Sequence, residues 1–160
     1  MTIMNAARLA SIGILALTAA CAQQRIAGTN VEDTEEHREL FDIVMRYRAA
    51  MEARDAKTIL GLVSTSYYED NGNADPSDDY GYTQLRDQIL PETMDVTKEV
   101  FLTLEVQEIV VDDDVAHVDV RFNQRARIEM PSGSSWDTQR ELNRIDFRRE
   151  DQGWRIVRGL

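Results

Sequence analysis

Between residues 35 and 63 the apolar positions recur at helical spacing. Leu40, Val44, Tyr47 and Met51 follow at intervals of four, three and four, flanked by Phe41 and Ile43. This is the stripe of an amphipathic helix over 35–54. Thr34 stands at its N-cap, and Glu35 and Glu36 occupy the positive end of the dipole. Asp55 predicts the cap of a second, short helix carrying Ile59, Leu60, Leu62 and Val63. Residues 64–70 read as extended. Residues 71–81, dense in Asn, Gly, Asp and Ser, read as a loop. Thr83 caps a third helix that ends near Leu90, stopped by Pro91.

From Val96 onward the period becomes two. Four strands are predicted, over 98–111, 115–130, 137–149 and 154–160, joined by turns at 112–114, 131–134 and 150–153. The second alternates most cleanly. Val118, Val120, Phe122, Ile128 and Met130 share one face, while His117, Asp119, Arg121, Asn123, Arg125, Arg127 and Glu129 share the other. One face is therefore buried and the other wet, as in an antiparallel sheet covered on one side. Helices first and a meander afterwards give an α+β fold, the helices filling the concave side of a curved four-stranded sheet.

The start of the chain follows neither regime. Arg8 precedes an apolar run from Leu9 to Leu17, and Thr18-Ala-Ala leads to Cys21. A positive start, an apolar stretch and a small-residue exit are the order of a secretory signal peptide over residues 1–20. The run is about half of the ~20 residues that cross a bilayer. Leu17-Thr-Ala-Ala-Cys21 resembles the lipobox of bacterial lipoproteins, in which cleavage precedes a Cys that is then acylated. The resemblance implies lipid attachment at Cys21. With Ala22 next, it also implies an outer-membrane location facing the periplasm. Residues 21–34 are expected to be the lipidated Cys and a flexible tether, and 35–160 the folded domain.

Composition narrows the partners. The 160 residues hold 18 basic and 29 acidic side chains, a net charge of −11. Loss of residues 1–20 removes Arg8 and no acid, so the mature chain is more acidic still. That acidity argues against a duplex-DNA or RNA partner, since phosphate binding needs clustered Lys and Arg. The single Cys excludes an intrachain disulfide and a Cys-based zinc site.

The element order resembles the nuclear transport factor 2-like (SnoaL-like) superfamily over about residues 35–160. Two phrases carry the likeness: Arg48-Ala-Ala-Met-Glu-Ala-Arg-Asp-Ala-Lys-Thr-Ile-Leu-Gly-Leu62, where Asp55 starts the second helix, and the closing Gly153-Trp-Arg-Ile-Val-Arg-Gly159. The resemblance implies a cone that holds a ligand, is filled by side chains or supports a homodimer. That superfamily includes isomerases, cyclases, dehydratases, epoxide hydrolases and non-enzymatic modules, so the fold alone does not decide activity.

An enzyme of this fold would need a carboxylate or His inside the cone. Asp119 and Asp146 are the strand acids to test. Asp119 shares a face with His117 and Arg121 and is a solvated cross-strand partner if that face is the outer one. Arg144 and Asp146 share a face with Leu142 and Arg148, as an ion pair or as a pocket lining. Tyr67, Tyr68, Tyr80 and Tyr82 flank the acidic loop. With Arg144 they are the candidate ligand contacts at the cone mouth, packing being the other reading. His37 and His117 lack companions at ligand spacing, so neither a metal nor another cofactor is expected. The loop 70–79 is read as solvated, with calcium binding as its alternative. Trp136, beside a Gly/Ser turn, is a candidate dimer contact. The sequence thus reads as an envelope-anchored lipoprotein whose non-enzymatic domain binds a small molecule, a protein partner or a second copy. The alternative is an isomerase, cyclase or dehydratase acting on a small lipophilic substrate.

Overall fold

A computed structural model describes residues 24–160; the expected leader and the lipidation site Cys21 lie outside the described residues. Helix α1 (Glu35–Ala53) begins where Thr34 Oγ1 accepts the His37 amide at 3.1 Å. It buries Leu40, Val44, Tyr47 and Ala50. Arg54 then turns left-handed, with φ of 55°, and returns its N–H to the carbonyls of Ala50 and Met51. The Asp55 carboxylate caps α2 (Ala56–Leu62) by accepting the Thr58 amide at 3.0 Å and its hydroxyl at 2.6 Å. Those Thr58 bonds hold the Asp55 carboxyl below its ordinary value.

Two short strands, β1 (Tyr68–Glu69) and β2 (Tyr80–Gly81), pair antiparallel around the acidic loop. The third helix, α3, is three joined pieces: Tyr82–Gln84, a π-helical turn Leu85–Ile89, and Leu90–Val96. It runs through Pro91 instead of stopping there, a departure from the sequence expectation. Pro91 lacks an N–H, and in a regular helix its ring would meet the carbonyl four residues back. Here the Leu90 N–H reaches five residues back to the Leu85 carbonyl. That one-residue bulge relieves the clash.

Strands β3 (Thr97–Asp112), β4 (Val115–Met130), β5 (Gly133–Glu150) and β6 (Gly153–Arg158) form one antiparallel meander in chain order. The sidedness follows the alternation. Val118 and Val120 are 0 % and 1 % exposed, His117 and Asp119 are half-buried, and Arg121 is exposed. On β3 the inward set changes phase, from Leu102, Leu104 and Val106 to Ile109, because a bulge between Val106 and Glu108 inserts one residue. The helices cover the inner face, and α1 packs against β3. The Ser64 amide, just past α2, bonds to the Ile156 carbonyl of β6 at 2.8 Å.

Residues 24–34 differ from the expected flexible tether. Ile26 and Val31 are buried in the main core, Arg25 bridges to Glu32, and the Ile26 amide meets the Val31 carbonyl at 3.0 Å. Two apolar residues flank a Gly-Thr-Asn turn in which Gly28 takes a φ of 80°. The turn folds both onto the domain, and their burial offsets the entropy of ordering the stretch.

Candidate functional site: a cavity between helix and sheet

The inner rows of β4 and β5 change character along their length. Register pairs Val118 with Ile145, Val120 with Asn143, Phe122 with Glu141 and Gln124 with Gln139. The β5 row therefore passes from Phe147 and Ile145 to Asn143, Glu141 and Gln139. Apolar packing closes the narrow end, while polar side chains keep the wide end open. The result is a cavity of about 530 Å³, within the range of small-molecule pockets. Tyr47 and Met51 of α1, with Leu104, Val120, Phe122 and Ile145, give it an apolar floor. Gln124, Gln139, Glu141 and Asn143 form one polar wall; residues 69–72 and 158–160 complete the rim.

Glu69 anchors that rim. Its side chain accepts the Tyr67 hydroxyl at 2.9 Å, the Gly159 amide at 2.8 Å and the Asn71 amide at 3.2 Å, and the residue is only 7 % exposed. Tyr67 Oη in turn accepts the Leu160 amide at 3.2 Å. Burial, reinforced by neighbouring Tyr80 and Glu69, pushes the Tyr67 hydroxyl far above its usual pKa. Asp70 accepts the Gly72 amide at 3.0 Å and a guanidinium N–H of Arg158 at 3.4 Å.

The strand acids singled out from the sequence lie on the outer face. Asp119 accepts two bonds from Arg144, at 2.7 and 2.8 Å, and Asp146 accepts one from Arg158 at 2.8 Å. The Arg144 guanidinium holds the Asp119 carboxyl below the usual carboxylate value. Arg144 borders the cavity, with its charged head turned away from it toward Asp119. None of Tyr67, Tyr68, Tyr80 and Tyr82 lines the cavity. Tyr67 and Tyr80 pack behind its rim with ring centres 6.1 Å apart. Tyr68 is exposed and donates to Asp79, and Tyr82 stacks under Arg86.

The lining residues Tyr47, Glu141 and Asn143 are not among those singled out from the sequence. The signal for two of them was present: Ile145 and Phe147 fix the inward phase of β5, and counting back by twos gives Asn143 and Glu141. In the acidic loop, Asp70, Asn73 and Asp75 spend side-chain oxygens on the amides of Gly72, Asp75 and Ser77. Among the described residues no group of three or more His, Cys, Asp or Glu could hold a metal ion. On the outer face, Trp136 stacks on Phe101 with centroids 6.1 Å apart, and the Arg125 guanidinium lies 4.2 Å from the indole centre.

No protein-family model matches the chain, and no curated protein does. Solved structures do. A nuclear transport factor 2-like superfamily protein from Salmonella enterica superposes with a TM-score of 0.60 at 19 % identity, over 76 % of this chain and 86 % of that one. A ketosteroid isomerase-like protein from Erwinia carotovora gives 0.62 at 14 % identity, over 79 % and 95 %. A nuclear transport factor 2-like protein of unknown function from Pseudomonas putida gives 0.59 at 14 %, over 76 % and 82 %. With helices packed on a four-stranded antiparallel meander and a cavity between them, the chain has the nuclear transport factor 2-like cone fold.

Proposed function

We propose that the protein is a ligand-binding lipoprotein of the cell envelope, held by an acylated Cys21 at the outer membrane and facing the periplasm. The observation that carries the binding half is the cavity of about 530 Å³, with its apolar floor and single polar wall. Asp119 and Asp146 are turned outward into ion pairs, and Glu69 is saturated by structural donors. This favours binding over catalysis. The anchoring half rests on the lipobox-like Leu17-Thr-Ala-Ala-Cys21. Among the described residues no helix is long and apolar enough to cross a membrane. The described chain is packed from Ile26 onward, and only Ala22 and Gln23 lie between Cys21 and Gln24, three Cα-to-Cα steps. An extended chain of that length spans ~10 Å, so the acylated protein would sit close to the headgroups.

Two measurements test the reading. Mass spectrometry of the mature N terminus should find a diacylglyceryl group on Cys21; an unmodified thiol rejects the anchor. Thermal unfolding with a panel of small ring compounds should show stabilised chain, because a ligand preferring the folded state raises its stability. Gln124→Trp, which fills the cavity from its polar wall, should abolish those shifts. Shifts that survive it would place binding elsewhere.

A second reading, catalysis on a small lipophilic substrate, draws on one feature: Glu141 brings a carboxylate to a cavity that Tyr47 also lines. Turnover of a carbonyl compound by the chain, lost in Glu141→Gln, would favour it.

A further inference from the structure

The charged groups around the cavity are not equivalent. Glu69 is occupied by three donors, and Asp70 by the Gly72 amide and Arg158. Arg158 is held between Asp146 and Asp70, and the head of Arg144 is bound to Asp119. Glu141 alone has no hydrogen-bond or ion-pair partner among the described residues, although it stands on the inner row of β5 opposite Phe122. The neighbouring amides bond elsewhere. Asn143 donates to the Gly159 carbonyl at 3.1 Å, and Gln139 donates to Asp137 at 3.1 Å.

The cavity thus offers one free carboxylate, on the exposed Glu141 at its mouth, above an apolar floor, and its lining carries three carboxylates (Glu69, Asp70, Glu141) against two guanidiniums (Arg144, Arg158). Each ligand charge meets a different fate there. An anion meets a lining of net negative charge whose two guanidiniums are already paired with Asp119, Asp146 and Asp70. A neutral hydroxyl gains one hydrogen bond to Glu141 and no ion pair. A protonated amine gains a charge-assisted bond. We propose that the cavity takes a protonated organic amine with an apolar body, the ammonium paired with the Glu141 carboxylate and the body resting on Leu104, Val120 and Phe122. The proposal rests on the ligand-cavity reading above and names the class of ligand.

The test uses three probes of matched shape, 2-phenylethylamine, 2-phenylethanol and phenylacetate, titrated against the full chain at neutral pH and low salt by NMR. The amine should bind about three- to fivefold more tightly than the alcohol, and phenylacetate should be weakest. Salt should weaken the amine selectively. Glu141→Gln should bring the amine to the level of the alcohol while leaving the alcohol unchanged. Glu105→Gln removes the same charge from the outer face, where Glu105 pairs with Arg121, and should leave all three within about twofold, since an exposed charge at that distance is screened. If the alcohol or phenylacetate matches the amine, the cation preference is wrong while the cavity reading stands. If amine binding survives Glu141→Gln, or falls equally in Glu105→Gln, the pairing is wrong. If none of the probes binds, both the pairing and the cavity reading fail.

Discussion

Replacing Gly159 by Ala should cost far more than one methyl group suggests. Gly159 has a φ of 94°, and a Cβ built there would lie 2.0 Å from the Arg144 carbonyl oxygen and 3.0 Å from Ile145 Cα. Both obstacles are backbone of β5, which cannot swing aside as a flexible side chain does. The left-handed conformation alone costs about 1 kcal/mol for a residue with a Cβ. Escape from the overlap requires the tail to leave its seat. That breaks the Gly159 amide bond to Glu69, the Leu160 amide bond to Tyr67 and the Asn143 bond to the Gly159 carbonyl. A bond to a charged acceptor contributes ~1.5–3 kcal/mol and the others ~1 kcal/mol each. The expected destabilisation is therefore about 3–5 kcal/mol, or roughly 10–20 °C in Tm for a domain of this size. Urea unfolding of Gly159→Ala measures it. A double-mutant cycle with Tyr67→Phe locates the cause, because a tail already released has little left to lose when the hydroxyl goes. A change below about 0.5 kcal/mol, or a Tyr67→Phe cost that is the same in both backgrounds, would refute the reasoning.

The two faces of β5 should respond in opposite ways. Phe147→Ala, at a fully buried site, should cost about 3–5 kcal/mol. Leu142→Ala, where Leu142 is 75 % exposed, should stay within ~0.5 kcal/mol by chemical denaturation. Thr34→Ala removes the N-cap of α1 and should cost about 1 kcal/mol, seen as a loss of a few degrees in Tm. Arg144→Gln should raise the Asp119 pKa toward its ordinary 3.8, read from its carboxyl carbon by NMR. Since the folded-state value is the depressed one, the stability this pair supplies is present above the ordinary value. It disappears as pH falls through the folded value, where variant and parent should converge.

The sheet was legible because its chemistry is periodic. Val118 and Val120 against His117, Asp119 and Arg121 fix which side is wet, and a one-residue slip would reverse every position. The caps at Thr34 and Asp55 were equally readable, since each places an oxygen acceptor ahead of an apolar stripe. Pro91 misled because the rule for proline assumes a regular helix, and the bulge at Leu85–Ile89 relaxes that assumption. Residues 24–34 misled because Ile26 and Val31 are only two apolar side chains in a polar stretch, with no period to announce them; the domain they pack against decides their fate. The cavity was hidden for a different reason. Glu141 and Asn143 look like surface residues in a local window, and only continuing the inward phase from Ile145 turns them toward the cone. The tyrosines drew attention by composition, whereas contact with the cavity depends on how the β1–β2 segment seats against the tail.

A methyl-labelled NMR spectrum of the full chain, recorded with and without 2-phenylethylamine, tests whether ligand enters between helix and sheet. The account predicts shifts at Met51, Leu104, Val120 and Ile145, with Val110, Val115 and Leu142 on the outer face unchanged. Shifts confined to the outer-face methyls, with the inner set silent, would contradict it.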